Sequence, residues 1–159
     1  MKLTSLIAQQ LIEVHEGNNW TDVNLADTLK DVNAEEAATQ TQASPNTIAS
    51  LLHHITFWNR LMIKRMQGID VFVDEKNGYD TPPIETEEDW QQLQIDNNLS
   101  AHELAAAIAA FDENVLFESL ILGGATAYKN LQGTVEHVHY HLGQMVILKN
   151  LIKATKQAM

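Results

Sequence analysis

The chain has 159 residues, a net charge of −11 and only two arginines, Arg60 and Arg65. It has no cysteine, which excludes disulfides, thiolate metal sites and a cysteine nucleophile. Nucleic acids and anionic membrane surfaces are held by clustered lysine and arginine, so this acidic balance predicts neither as a partner. The length predicts a single domain over residues 1–159, with a core large enough to fold without cross-links.

The N-terminal segment MKLTSLIAQQLIEVHEGN lacks the apolar core and the cleavage site of a secretory signal peptide. No apolar run in the chain approaches the roughly 18 residues that a membrane-spanning helix needs. Together with the absence of cysteine, these features predict a cytoplasmic protein.

Apolar residues recur at helical spacing through the first part of the chain. Residues 3–14 place them on one stripe, which predicts a first amphipathic helix. Residues 20–41 predict one or two short helices. A second long helix is predicted to follow Ser44, a good N-cap residue, and to stop at Gly68.

The second half begins with the acidic, turn-rich residues 69–99, interpreted as a solvated connection with one short helix over 86–95. Ser100 resembles the N-cap of a third long helix that runs through residue 122. A final helix is predicted to begin near residue 127, or before 134, and to continue to the end. Four long helices predict an all-α fold, a four-helix bundle with short connecting helices.

Three histidines stand at alternate positions in the segment GTVEHVHYHLGQ, residues 133–144. On a helix His137 and His141 lie one turn apart on the same face, whereas His139 faces away. This four-residue spacing is used by pairs of ligands in helical zinc sites. Two ligands hold a divalent metal poorly, so the pair predicts a third ligand on a neighbouring helix.

The other histidines of the chain are the candidates for that third ligand: His15, His53, His54 and His102. Helical periodicity puts both His53 and His54 at the edges of a wide apolar stripe and does not choose between them. His15 and His102 fall at helix ends and are expected to be exposed. The alternative interpretation is that the histidines are ordinary surface or core side chains that bind no metal.

The pairing of NTIASLLHHITFWNRLMIKRMQG with LQGTVEHVHYHLGQMVILKNLI resembles the DinB-like (DinB/YfiT) superfamily. In that family one helix, reading roughly S/T-I-x-x-L-L-x-H-I-x-x-W, supplies one histidine, and a later H-x-x-x-H-x-G-Q helix supplies two. The segment EGNNWTDVNLADTLKDVNAEEA and Trp90 extend the resemblance over most of the chain. Matched residue by residue, it implies a divalent-metal site formed by His54, His137 and His141.

The resemblance also implies two kinds of chemistry. One branch of the family resembles thiol S-transferases and mycothiol-dependent isomerases, and a second possibility is metal-dependent hydrolysis. The leading hypothesis is a thiol S-transferase-type enzyme that uses zinc or nickel, both of which suit imidazole ligands, with a low-molecular-weight thiol as cosubstrate. A hydrolase, or a non-enzymatic stress-response or interaction module, is the alternative. A small-molecule substrate and a homodimer are further expectations.

Overall fold

The computed structural model describes residues 2–158 and contains six α-helices and one short 3₁₀ helix, Glu113–Val115. Within this range it has no β-strand, only two isolated bridges. The predicted all-α class is therefore confirmed. The helices are α1 (Leu3–Glu16), α2 (Leu25–Leu29), α3 (Ala34–Ala38), α4 (Ile48–Met66), α5 (Glu87–Ala110) and α6 (Ala127–Gln157).

The four long helices pack in a ring, in which α1 and α4 each lie against both α5 and α6. The short helices cover the outside, with α2 against α1 and α6, and α3 against α4 and α5. This is the predicted four-helix bundle with short connecting helices. Because α4 and α6 are neighbours, the two histidine-bearing segments face each other. None of the helices described is long and apolar enough to span a membrane.

The boundaries of α4 and α5 differ from the sequence prediction. Ser44 is not the N-cap of α4, because its hydroxyl accepts from the Asn46 backbone in a preceding turn; Thr47 caps the helix instead. α5 is one helix from Glu87, and Ser100 lies in its interior, where its hydroxyl accepts from the buried Asn59 amide at 3.1 Å. The predicted break at residue 100 is therefore wrong. The helix also ends at Ala110 and does not reach residue 122.

His15 is buried, with 3% of its surface exposed, because α2 packs against α1. The expectation that it is exposed was wrong, whereas His102 is exposed as expected. The Nδ1–H of His15 donates to the Leu11 carbonyl at 2.8 Å. Burial lowers the pKa of His15 from 6.5 to about 4, so this imidazole is neutral in the folded protein at neutral pH.

The depressed pKa of His15 predicts a loss of stability in acid. As the pH falls from 6.5 towards 4, the unfolded chain takes up a proton at this histidine and the folded chain does not. At about 1.4 kcal/mol per pH unit, the free energy of unfolding falls by about 3 kcal/mol across this window. His15→Gln should remove that part of the decline, as measured by urea unfolding at several pH values.

The exposed His102 provides the control for this experiment, since His102→Gln makes the same chemical change outside the core. Comparing the two variants with the wild type separates burial of the imidazole from the substitution itself. The free energy of unfolding is plotted against pH for His15→Gln and for wild type. If the two plots stay parallel between pH 6.5 and 4, the pKa of His15 is not lowered by burial.

Candidate metal centre

The packing of α4 against α6 brings together three imidazoles. His54 comes from α4, and His137 and His141 come from successive turns of α6. The Nε2 atom of His137 lies 3.0 Å from Nε2 of His54 and 3.0 Å from Nε2 of His141. One ligand nitrogen from each lies within 4.8 Å of the others. The structure thus gathers the three residues named from the sequence and leaves His139 outside.

The spacing of these nitrogens suits a single divalent ion. Nitrogens that each lie about 2.0–2.1 Å from an ion are separated by about 2.9 Å at a right angle and about 3.4 Å at a tetrahedral angle. The separation of 3.0 Å found here falls inside that interval. The two distances to His137 therefore fit the binding of one divalent ion by the three-histidine group.

Hydrogen bonds behind the imidazoles direct their free lone pairs into the centre. The Nδ1–H of His54 donates to the Asn77 carbonyl at 2.6 Å, and that of His141 donates to Oε1 of Gln144 at 2.7 Å. Both residues therefore present an unprotonated Nε2 to His137. One proton on His137 Nε2 can satisfy only one of these two neighbours, whereas a cation satisfies all three nitrogens.

Burial keeps these imidazoles neutral. Burial, with a smaller contribution from neighbouring histidines, lowers the pKa of His54 to about 4 and the pKa of His137 to about 3. The pKa of His141 is also lowered by burial. Because metals bind the neutral form of histidine, the three side chains need not lose a proton before coordination at neutral pH.

A turn between α4 and α5, which we call the clamp turn (residues 74–79), holds the histidines of α4. Asn77 and Gly78 have positive φ values of 51° and 75°, and this directs their carbonyls towards α4. The Asn77 carbonyl accepts from His54, and the Gly78 carbonyl accepts from Nδ1 of His53 at 2.8 Å. His53 is therefore a contact of the turn and not a member of the three-histidine group.

The sequence indicated a turn at Gly78 but not its contact with the histidines, because backbone carbonyls that carry no side-chain signature make that contact. The available signal was the Asn77–Gly78 pair, since Asn-Gly is favoured where two successive residues need positive φ. Residues 69–99 are thus more than a solvated connection.

Aromatic rings fix the positions of the imidazoles. Tyr79 stacks on His54, with ring centroids 4.0 Å apart and an interplanar angle of 7°. Trp58 packs edge-on against His137 at 6.0 Å, and its indole N–H donates to the Asn77 side chain at 3.1 Å. Asn77 therefore supports both the Nδ1 of His54 and the ring of Trp58.

A cavity of about 350 Å³ opens beside the histidines, and His54 and His137 form part of its wall. Trp58, Asn59 and Met62 continue the wall, and the described residues that line it include no aspartate or glutamate. A larger cavity of about 570 Å³, lined in part by His15 and His102, contains none of the three clustered histidines. The smaller cavity is therefore the one of these two that borders the three-histidine group.

Fold and centre together define a helical-bundle protein with a three-histidine group suited to a divalent metal. The family model of the DinB superfamily matches residues 19–145, a range that includes all three histidines. The chain belongs to the DinB superfamily, as its sequence motifs indicated. No curated protein and no solved structure gives a significant match to the chain.

Proposed function

We propose that this protein is a metal-dependent enzyme of the thiol S-transferase type. His54, His137 and His141 hold zinc or nickel, and a low-molecular-weight thiol is the cosubstrate. The observation that carries the proposal is the convergence of three imidazole nitrogens beside an open cavity. Structural zinc sites normally have four protein ligands, whereas three ligands leave coordination positions for a reactant.

The cavity wall favours a thiol over water as the nucleophile. Hydrolysis by a metal-bound water is commonly assisted by a general base near the reacting atoms, and a carboxylate often has this role. None of the described residues that line this cavity is acidic. A thiol cosubstrate brings its own nucleophile, and a bound divalent cation lowers the pKa of a coordinating thiol.

The proposed reaction forms one bond between the thiol sulfur and an electrophilic carbon of the second substrate. The thiol proton passes to solvent, and the leaving group departs with its bonding electrons. Trp58 and Met62 provide apolar surface beside the histidines, against which the second substrate can pack.

The test uses untagged protein loaded with Co²⁺, which gives a near-ultraviolet sulfur-to-cobalt absorption band when a thiolate coordinates. We expect small thiols to produce this band at one equivalent of metal. Zinc- or nickel-loaded protein should then accelerate release of chloride from 1-chloro-2,4-dinitrobenzene only when thiol is present. Hydrolysis of p-nitrophenyl acetate in the absence of thiol, without the sulfur-to-cobalt band, would favour the hydrolase. Failure to take up any metal would overturn the proposal.

A further inference from the structure

The cavity beside the histidines carries two cationic side chains, Arg65 and Lys129, in a protein whose net charge is −11. The chain has eight other lysines and arginines in total, and six of these eight form ion pairs with carboxylates. Within residues 2–158, neither Arg65 nor Lys129 pairs with a carboxylate. The paired cations are Lys30, Arg60, Lys76, Lys149, Lys153 and Lys156.

Arg65 is held in place but lacks a hydrogen-bond acceptor on one edge. Its Cζ atom lies 5.3 Å from the centroid of the Trp58 ring, a cation–π contact that orients the guanidinium. Its Nε atom is buried and has no hydrogen-bond partner among residues 2–158. An unsatisfied buried donor is costly, and the Nε edge of a guanidinium presents the two parallel N–H groups that fit a carboxylate.

Lys129 stands where its own helix disfavours a positive charge. It lies in the first turn of α6, and its backbone N–H donates to the side chain of the N-cap residue Thr126 at 3.2 Å. The positive end of a helix dipole repels a cation and attracts an anion. An anion bound in this cavity would relieve that repulsion and would meet Lys129 and the helix end together.

Both cations line the same cavity as His54 and His137. The Trp58 ring contacts Arg65 and also packs against His137 at 6.0 Å, so a single aromatic side chain connects the two sites. The cavity volume of about 350 Å³ is within the usual range for small-molecule pockets. One small molecule can therefore reach the histidines with one end and the two cations with the other.

We propose that the thiol cosubstrate bears a carboxylate, which Arg65 and Lys129 bind while the sulfur faces His54, His137 and His141. This inference rests on the proposed function for the position of the sulfur. The carboxylate subsite itself rests on the free cations and the cavity.

The first test compares ω-mercaptocarboxylates of increasing length with ω-mercaptoalcohols of matching length on the Co²⁺-loaded protein. At the best length, the carboxylate should bind about tenfold more tightly than the alcohol, which corresponds to about 1.4 kcal/mol. Arg65→Met should abolish this preference by weakening carboxylate binding more than alcohol binding. Arg60→Met, which removes the arginine paired with Asp96, is the matched control and should keep the preference.

The second test does not depend on metal. The chain has only two arginines, so their Nε–H signals can be followed separately by nitrogen-15 NMR. Adding an ω-mercaptocarboxylate to the metal-free protein should shift the Arg65 signal and not the Arg60 signal. Protein that takes up no metal but shows this shift would overturn the proposed function and retain the carboxylate subsite. Equal affinity for carboxylate and alcohol, with an unmoved Arg65 signal, would overturn the subsite alone.

Discussion

Replacing His137 with alanine is expected to abolish stoichiometric metal binding and to leave the fold intact. His137 lies between the other two imidazoles, 3.0 Å from each, so its loss removes the shared neighbour of the group. Loss of an outer hydrogen-bond partner alone weakens metal sites by 10- to 100-fold, and loss of a direct ligand should weaken this one by more than about a hundredfold. Competition with a chromophoric chelator measures the change.

The metal-free His137→Ala variant should lose about 1 kcal/mol or less of unfolding free energy relative to wild type, because the side chain is only partly buried. His139→Ala is the matched control, since it lies on the same helix outside the three-histidine group. Urea unfolding of metal-free protein measures both variants. Equal metal affinity in the His137→Ala and His139→Ala variants would contradict the assignment.

The second large effect is expected from Gly78→Ala in the clamp turn. Gly78 has a φ of +75°, which disfavours any other residue, and a Cβ here would lie 2.6 Å from the Phe57 ring. Backbone strain and overpacking together should lower the free energy of unfolding by about 2–5 kcal/mol. The displaced turn should also shift the Asn77 carbonyl that holds His54, weakening metal binding by about 10- to 100-fold.

Gly68→Ala separates these two causes. Gly68 has nearly the same φ, +77°, but nothing lies within 4 Å of the position that its Cβ would take. It should therefore show only the backbone cost, about 1 kcal/mol, with unchanged metal affinity. Thermal unfolding and chelator competition on both variants give the comparison. Similar losses in the two would show that the Phe57 contact is unimportant.

The sequence predicted the helical bundle because apolar periodicity and N-cap signals report directly on helices. It also predicted that His137 and His141 share a face, since a single helix determines that relation. Helical periodicity could not decide whether His53 or His54 is the third metal ligand, because both lie beside the same apolar stripe. In the structure their different roles depend on backbone carbonyls of a turn more than twenty residues later.

Two predictions from the sequence were wrong for a similar reason, namely that contacts with distant parts of the chain decide the outcome. Ser100 looks like an N-cap by itself, but a tertiary hydrogen bond from Asn59 satisfies its hydroxyl inside α5. His15 looks like an exposed helix-end residue, but α2 packs against its helix and buries it. Local sequence carries no information about which distant group will supply a partner or exclude water.

The distance between His54 and His137 along the chain has a consequence for folding. These residues contact each other across 83 positions, so their arrangement exists only after the last helix has docked against α4. An ion that prefers this arrangement binds the folded chain and not the unfolded one, and by mass action it adds to the free energy of unfolding as its concentration rises. Metal supply would then regulate how long the folded protein survives.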